Sequence, residues 1–66
     1  MYGKILKELR QENGWSQEEL AKQLDTSQRT ISRYERELFD LSTDMIIKIC
    51  NLFEISADYL LGLKDE

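Results

Sequence analysis

A helical segment in the middle of the chain carries amide and guanidinium side chains on one side. Gln28, Arg29, Ser32, Arg33 and Arg36 fall within one broad arc of that helix, and the arc contains no carboxylate. Guanidinium and carboxamide groups form paired hydrogen bonds with guanine and adenine edges, which are exposed in the major groove of DNA. The arc therefore has the chemistry to read base pairs, with Gln28 suited to adenine and Arg29 or Arg33 suited to guanine.

An ordinary solvated face is the alternative interpretation of this arc. The surface helix of an acidic protein usually mixes charges of both signs, whereas this arc combines three arginines with one glutamine and one serine. Its composition favours a binding surface for an anionic partner.

The rest of the sequence offers no set of residues for catalysis or metal binding. Histidine is absent, and the single cysteine, Cys50, lies on an apolar stripe that is typical of an inert core thiol. Asp40 and Asp44 have no second ligand group beside them and are interpreted as loop and helix-cap residues. A chain of 66 residues also has too small a core for a ligand pocket. We expect a chain that is not an enzyme and has no cofactor, metal or small-molecule substrate.

Charge is distributed unevenly along the chain. The net charge is −4, but residues 1–36 carry seven basic and six acidic groups, whereas residues 37–66 carry two basic and seven acidic groups. An anionic partner should meet the arginines of the first half, with the second half facing away. No apolar run is long enough for a membrane span and the N-terminus lacks a secretory signal, so we expect a cytoplasmic location.

Apolar residues recur at helical spacing throughout the sequence. This pattern predicts an all-α fold, a compact five-helix bundle, with residues 1–66 forming a single domain. The predicted helices cover residues 2–13, 17–24, 28–36, 43–53 and 57–61.

Short signals mark the junction between the second and third helices. Ser16 and Glu19 have the spacing of a capping box at the start of the second helix. Asp25, Thr26 and Ser27 then interrupt the helical pattern. Asp25 tolerates a positive φ, and Thr26 or Ser27 can cap a new helix. A very short turn thus joins the two helices, and the arginine-bearing arc lies on the later one.

Three stretches of the sequence resemble the phage Cro/repressor-type helix-turn-helix family, also called XRE-like. They are Ser-Gln-Glu-Glu-Leu-Ala at 16–21, Thr-Ser at 26–27 and Ile-Ser-Arg-Tyr-Glu at 31–35. The resemblance covers about residues 4–61. It implies a lambda repressor-like DNA-binding domain with a double-stranded DNA operator as its partner, bound mostly by symmetric homodimers.

The resemblance also implies roles for individual residues. Base contacts would come from Gln28, Arg29 and Arg33. Phosphate contacts would come from Gln17, Thr26, Ser27, Ser32 and Arg36. Arg10 and Glu35 would form a structural ion pair, whose loss would affect folding before it affects binding.

The sequence departs from the family after Glu35. Family members usually have glycine, basic residues and proline there, whereas this chain reads Arg-Glu-Leu-Phe-Asp-Leu at 36–41. Asp25 and Glu54 stand where glycine is usual, so a left-handed conformation there would carry a modest strain. Four apolar residues either fill the core or form a dimer surface, namely Leu38, Phe39, Leu61 and Leu63.

Two hypotheses follow for the function. The first is a sequence-specific DNA-binding transcriptional regulator, a repressor, that inserts the helix over 28–36 into the major groove of a two-fold operator as a homodimer. The second is a helix-turn-helix protein-interaction module, antitoxin-like or an anti-repressor, with weak or no DNA binding. The net charge and the missing basic loop favour the second.

Overall fold

Five helices form the part of the chain that the computed structural model describes, residues 1–63. They are α1 (Tyr2–Glu12), α2 (Gln17–Gln23), α3 (Gln28–Glu35), α4 (Thr43–Phe53) and α5 (Ala57–Leu60). Four helices end one residue before the predicted end, because the last predicted residue of each is its C-cap. Within the described range, no helix has the length and apolar content needed to cross a bilayer.

Serine side chains cap the starts of α2 to α5. The hydroxyl of each accepts a hydrogen bond from the backbone N–H three residues later, and these residues are Ser16, Ser27, Ser42 and Ser56. At α2 the bond is reciprocated, because the Glu19 carboxylate accepts from the Ser16 N–H at 2.8 Å. That bond lowers the pKa of Glu19, so its stabilisation is present at neutral pH and is lost as the pH falls through the lowered value.

Each of the five helices in residues 1–63 ends in the same type of turn. A residue at or just after the C-cap is left-handed, and the N–H of the next residue bonds to the carbonyl five positions earlier. These left-handed residues are Gly14, Asp25, Glu37, Glu54 and Gly62, with φ between 56° and 78°. The conformation expected at Asp25 and Glu54 is confirmed, whereas Glu37 gave no signal in the sequence.

We expect Glu54→Gly to raise the free energy of unfolding by about 0.5–1 kcal/mol. Glycine removes a left-handed strain of about 1–2 kcal/mol, and the greater freedom of the unfolded chain offsets about half of that gain. Glu54 is exposed and has φ 56° and ψ 48°. Urea denaturation followed by circular dichroism measures the change.

The matched control for this substitution is Glu8→Gly, at an exposed position inside α1. Glycine in a right-handed helix interior should lower stability by about 1 kcal/mol, so the two variants are expected to shift in opposite directions. A loss of stability in both would show that Glu54 is not strained.

The core lies where the inner faces of the helices meet. Its fully buried side chains are Leu6, Leu20, Leu24, Ile31, Ile49 and Leu60. The rings of Trp15 and Phe53, with centroids 5.8 Å apart, pack against this cluster. Because α1 and α2 both pack against α3, the inner face of α3 is fixed and its outer face is left for binding.

Candidate nucleic-acid interface

The candidate interface is built on α2, α3 and the turn between them, residues 24–27. The left-handed Asp25 and a hydrogen bond of 2.9 Å from the Thr26 N–H to the Ala21 carbonyl close this turn. Ile31 and Tyr34 are buried beneath α3. Since side chains on a helix are fixed relative to one another, burial of these two determines which residues of α3 face outward.

The outer face of α3 carries the predicted base-reading residues. Gln28 and Arg29 are exposed, and Arg33 is half-buried. Arg36, the C-cap of α3, is also exposed, and its phosphate contact stays a prediction. The one ion pair in residues 1–63 does not involve these three arginines. Among residues 1–63 no carboxylate forms an ion pair with these guanidinium groups, so they remain available to an anionic partner.

Arg33 contacts an aromatic ring. Its Cζ lies 5.0 Å from the centroid of the Phe39 ring, within the range of a cation–π interaction. The Phe39 ring also meets the Tyr34 ring edge to face, with centroids 6.5 Å apart. Sequence reasoning missed the contact of Arg33 with Phe39, because it depends on how the loop after α3 folds back.

Arg10 and Glu35 form a two-point ion pair between α1 and α3. Arg10 Nε and Nη2 donate to Glu35 Oε2 and Oε1 at 2.7 and 3.1 Å. The two side chains are 11% and 4% exposed, so water screens the pair weakly. Arg10 Nη1 also donates to the Trp15 carbonyl at 2.8 Å. The hydrogen bond with Glu35 raises the pKa of Arg10, and the pair ties α1 to the end of α3 and the entrance of α2.

Gln17 links this ion pair to the start of α3. Its Nε2 donates to Glu35 Oε1 at 3.1 Å, and its Oε1 accepts from Gln28 Nε2 at 3.0 Å. The Gln28 amide is therefore held by a chain of hydrogen bonds that begins at Arg10. This link could not be predicted from helical spacing, since Gln17 and Gln28 belong to different helices. The phosphate contact of Gln17 and the base contact of Gln28 stay predictions.

Three further residues predicted to contact phosphate lie at the turn or on α3. Ser27 Oγ accepts from the Thr30 N–H at 3.2 Å and shares a hydrogen bond of 2.9 Å with the Thr30 hydroxyl. Thr26 and Ser32 are half-buried. Ser27 thus has a structural role as a cap, and the phosphate contacts of all three stay predictions.

The four apolar residues assigned either to the core or to a dimer surface are exposed. Leu38, Phe39, Leu61 and Leu63 have exposed fractions of 61%, 44%, 36% and 71%. The core alternative is therefore wrong. The left-handed residues Glu37 and Gly62 redirect the chain after α3 and α5, and the interior is already filled by other side chains. A dimer contact through these residues stays a prediction.

Residues 1–63 offer no metal site and no small-molecule site. That part of the chain contains no cluster of metal-ligating side chains and no ligand-sized cavity. Cys50 is half-buried, and burial raises the pKa of its thiol, which is therefore protonated at neutral pH. The outer face of α3 is the surface whose chemistry points to a ligand.

A sequence profile of the helix-turn-helix family matches residues 6–60, which is most of the chain. The chain belongs to the helix-turn-helix family. This membership confirms the resemblance carried by the stretches at 16–21, 26–27 and 31–35.

Curated relatives of this helix-turn-helix chain are longer proteins. The HTH-type transcriptional regulator ImmR of Bacillus subtilis (strain 168) is 48% identical over 64 residues, which are 97% of this chain and 50% of that protein. Antitoxin HipB of Escherichia coli is 39% identical over 51 residues, which are 77% of this chain and 58% of that protein. The chain spans about half the length of the curated relatives it matches. Membership in this family of regulators confirms that the matched region is not an enzyme.

One solved structure has the same fold. It is the P22 c2 repressor protein in complex with synthetic operator 9T, which matches with a TM-score of 0.88 at 23% identity and 97% coverage of both chains. At this identity the likeness concerns the fold. It confirms the predicted all-α, lambda repressor-like five-helix class.

Proposed function

We propose that this helix-turn-helix chain is the DNA-binding part of a sequence-specific transcriptional regulator, a repressor that acts in the cytoplasm as a homodimer. In this proposal α3 enters the major groove of a two-fold operator, where Gln28 reads adenine and Arg29 and Arg33 read guanine. The observation that carries it is the outer face of α3, whose amide and guanidinium groups have no carboxylate partner within the described residues.

The charge distribution supports this orientation. The arginines of α3 belong to the half of the chain with more basic than acidic groups, and the acidic excess lies in residues 37–66. The residues proposed to contact phosphate lie before, among and after the base-reading residues along the chain, and they are Gln17, Thr26, Ser27, Ser32 and Arg36. Such contacts would fix the position of α3 in the groove while the base contacts supply specificity.

Relatives support the regulatory role and the binding of operator DNA. ImmR is named a transcriptional regulator, and the P22 c2 repressor was solved on operator DNA. For a homodimer, the exposed Leu38, Leu61 and Leu63 offer an apolar contact surface. The two copies of α3 would then meet half-sites about 34 Å apart, one turn of the double helix.

Selection of bound duplexes from a random oligonucleotide pool tests the proposal. We expect a two-fold consensus with half-sites about one helical turn apart. If about four to six phosphates are neutralised per dimer, the logarithm of the binding constant should fall against log salt with a slope of about −4 to −5. A pool from which no sequence is enriched, at low salt and micromolar protein, would contradict the proposal.

Arg33→Ala separates base reading from charge attraction. We expect about 10- to 100-fold weaker binding to the selected duplex and a much smaller change on random duplex, because a bidentate base contact is lost. Lys48→Ala removes the same charge from an exposed position on α4 and serves as the control. Equal losses on both duplexes in a gel-shift titration would assign Arg33 to the phosphate backbone instead.

A second candidate function is a protein-interaction module, antitoxin-like or an anti-repressor. The observations that favour it are the acidic second half and the exposed Leu38 and Phe39, together with the antitoxin name of one relative. A gel shift on random duplex at low salt, with and without heparin, distinguishes the two functions. Heparin-sensitive binding supports the regulator, and no binding at micromolar protein supports the interaction module.

A further inference from the structure

The loop between α3 and α4 brings an aromatic ring beside an arginine of the interface. This loop covers residues 36–42, and Phe39 lies near its middle. The centroid of the Phe39 ring is 5.0 Å from Arg33 Cζ, and the ring is partly open to solvent. The ring therefore lies at the edge of the surface that would meet DNA.

Contacts that do not involve the Arg33 side chain hold Phe39 in place. The Tyr2 hydroxyl donates a hydrogen bond to the Phe39 carbonyl, which ties the loop to α1. The Tyr34 ring meets the Phe39 ring edge to face. The Leu38 N–H donates to the Arg33 carbonyl at 2.9 Å and closes the turn before Phe39. The ring is thus a fixed surface on which a flexible side chain can rest.

An arginine that reads a base loses its rotamer freedom when it binds. A guanidinium that rests on an aromatic face is already restricted, while its planar N–H donors still point outward along the edge. Arg33 is not held by a carboxylate within the described residues, so the Phe39 ring is the group that restricts its guanidinium before DNA arrives.

We propose that Phe39 is a positioning residue for Arg33 and determines how strictly Arg33 discriminates its base pair. The inference rests on the proposed function and adds to it a specificity determinant in the loop where the sequence departs from its family. Its consequence is that specificity at one base pair depends on a side chain that does not itself need to contact the base.

Phe39→Leu and Phe39→Trp test this inference in the full chain. Leucine removes the ring but leaves the main-chain bond from Tyr2, whereas tryptophan restores a ring with an even stronger cation–π face. Fluorescence anisotropy would measure binding to the duplex selected by the parent chain and to duplexes with each base pair replaced in turn. Arg33→Ala identifies the base pair that Arg33 reads. Lys48→Ala, at an exposed position on α4, is the control, and circular dichroism verifies folding of each variant.

We expect Phe39→Leu to reduce the preference at the Arg33 base pair by about three- to tenfold while other positions keep theirs. Phe39→Trp and Lys48→Ala should keep the parent preference. The inference is overturned by an unchanged preference in Phe39→Leu, by a loss spread evenly over all base pairs, or by an equal loss in Phe39→Trp. If the parent chain itself selects no sequence, the proposed function fails, and the inference fails with it. If the parent chain selects a sequence but Phe39→Leu keeps the parent preference, the inference alone fails.

Discussion

Arg10→Ala is expected to lower the free energy of unfolding by about 3–5 kcal/mol. The substitution leaves the Glu35 carboxylate, which is 4% exposed, with Gln17 as its side-chain donor and no cation. It also removes the donor to the Trp15 carbonyl. A domain of this size rarely has more than about 3–5 kcal/mol of stability in total, so most of the variant should be unfolded at room temperature. Circular dichroism with urea and thermal denaturation measures the loss.

Lys7→Ala is the matched control, because Lys7 is an exposed cation on the same helix. Its effect should stay within about 0.5 kcal/mol. The double variant Arg10→Met/Glu35→Leu removes both charges and should recover much of the stability, since no buried charge is left unpaired. A loss in Arg10→Ala no greater than that in Lys7→Ala would mean that the pair is not desolvated in solution.

The effect of this ion pair should extend to the candidate interface. Glu35 also binds Gln17, and Gln17 binds Gln28 at the start of α3. One carboxylate, whose side chain is 4% exposed, therefore supports both the packing of α3 and the orientation of a predicted base-reading amide. This arrangement explains why the outer face of α3 can be fully polar while its position stays fixed.

The helix starts could be predicted from the sequence because the signals that set them are local. Ser16 and Glu19 are three residues apart, and their mutual hydrogen bonds form as soon as the backbone turns. Ser42 and Ser56 each accept a hydrogen bond from the backbone N–H three residues later, which is also a local contact. The burial of Ile31 and Tyr34 also follows from helical spacing, which made the outer face of α3 predictable.

Two features that depend on the path of the chain after α3 could not be predicted. The left-handed Glu37 has no glycine or asparagine to mark it, and its conformation is set by the turn that closes α3. The contact of Phe39 with Arg33 depends on the path of the loop after that turn. The sequence placed Phe39 correctly in a connection, but periodicity does not show which way a loop folds.

Gly3→Ala is expected to destabilise the chain by about 2 kcal/mol, against the usual preference for alanine in a helix. A Cβ at Gly3 would lie 2.5 Å from the Glu35 carbonyl oxygen and 2.7 Å from Glu37 Cγ, so α1 could not approach the end of α3. Elsewhere in a helix, glycine to alanine raises stability by about 0.5–1 kcal/mol. Overpacking of this kind typically costs about 1–3 kcal/mol, so the clash decides the sign. Urea denaturation of the two chains measures the difference.

Glu37→Ala shows which atoms resist the added methyl group. The Glu37 side chain can move, although it accepts a hydrogen bond of 3.1 Å from the Gly3 N–H, whereas the Glu35 carbonyl belongs to the backbone of α3. Combining Gly3→Ala with Glu37→Ala should therefore recover little stability relative to Glu37→Ala alone. A rise in stability for Gly3→Ala would contradict the close approach of the two helices, and full recovery in the double variant would assign the clash to the Glu37 side chain. α1 holds α3 through the close approach at Gly3 and through Arg10. A backbone clash at Gly3 should therefore disturb the position of α3 in the candidate interface as well as destabilise the fold.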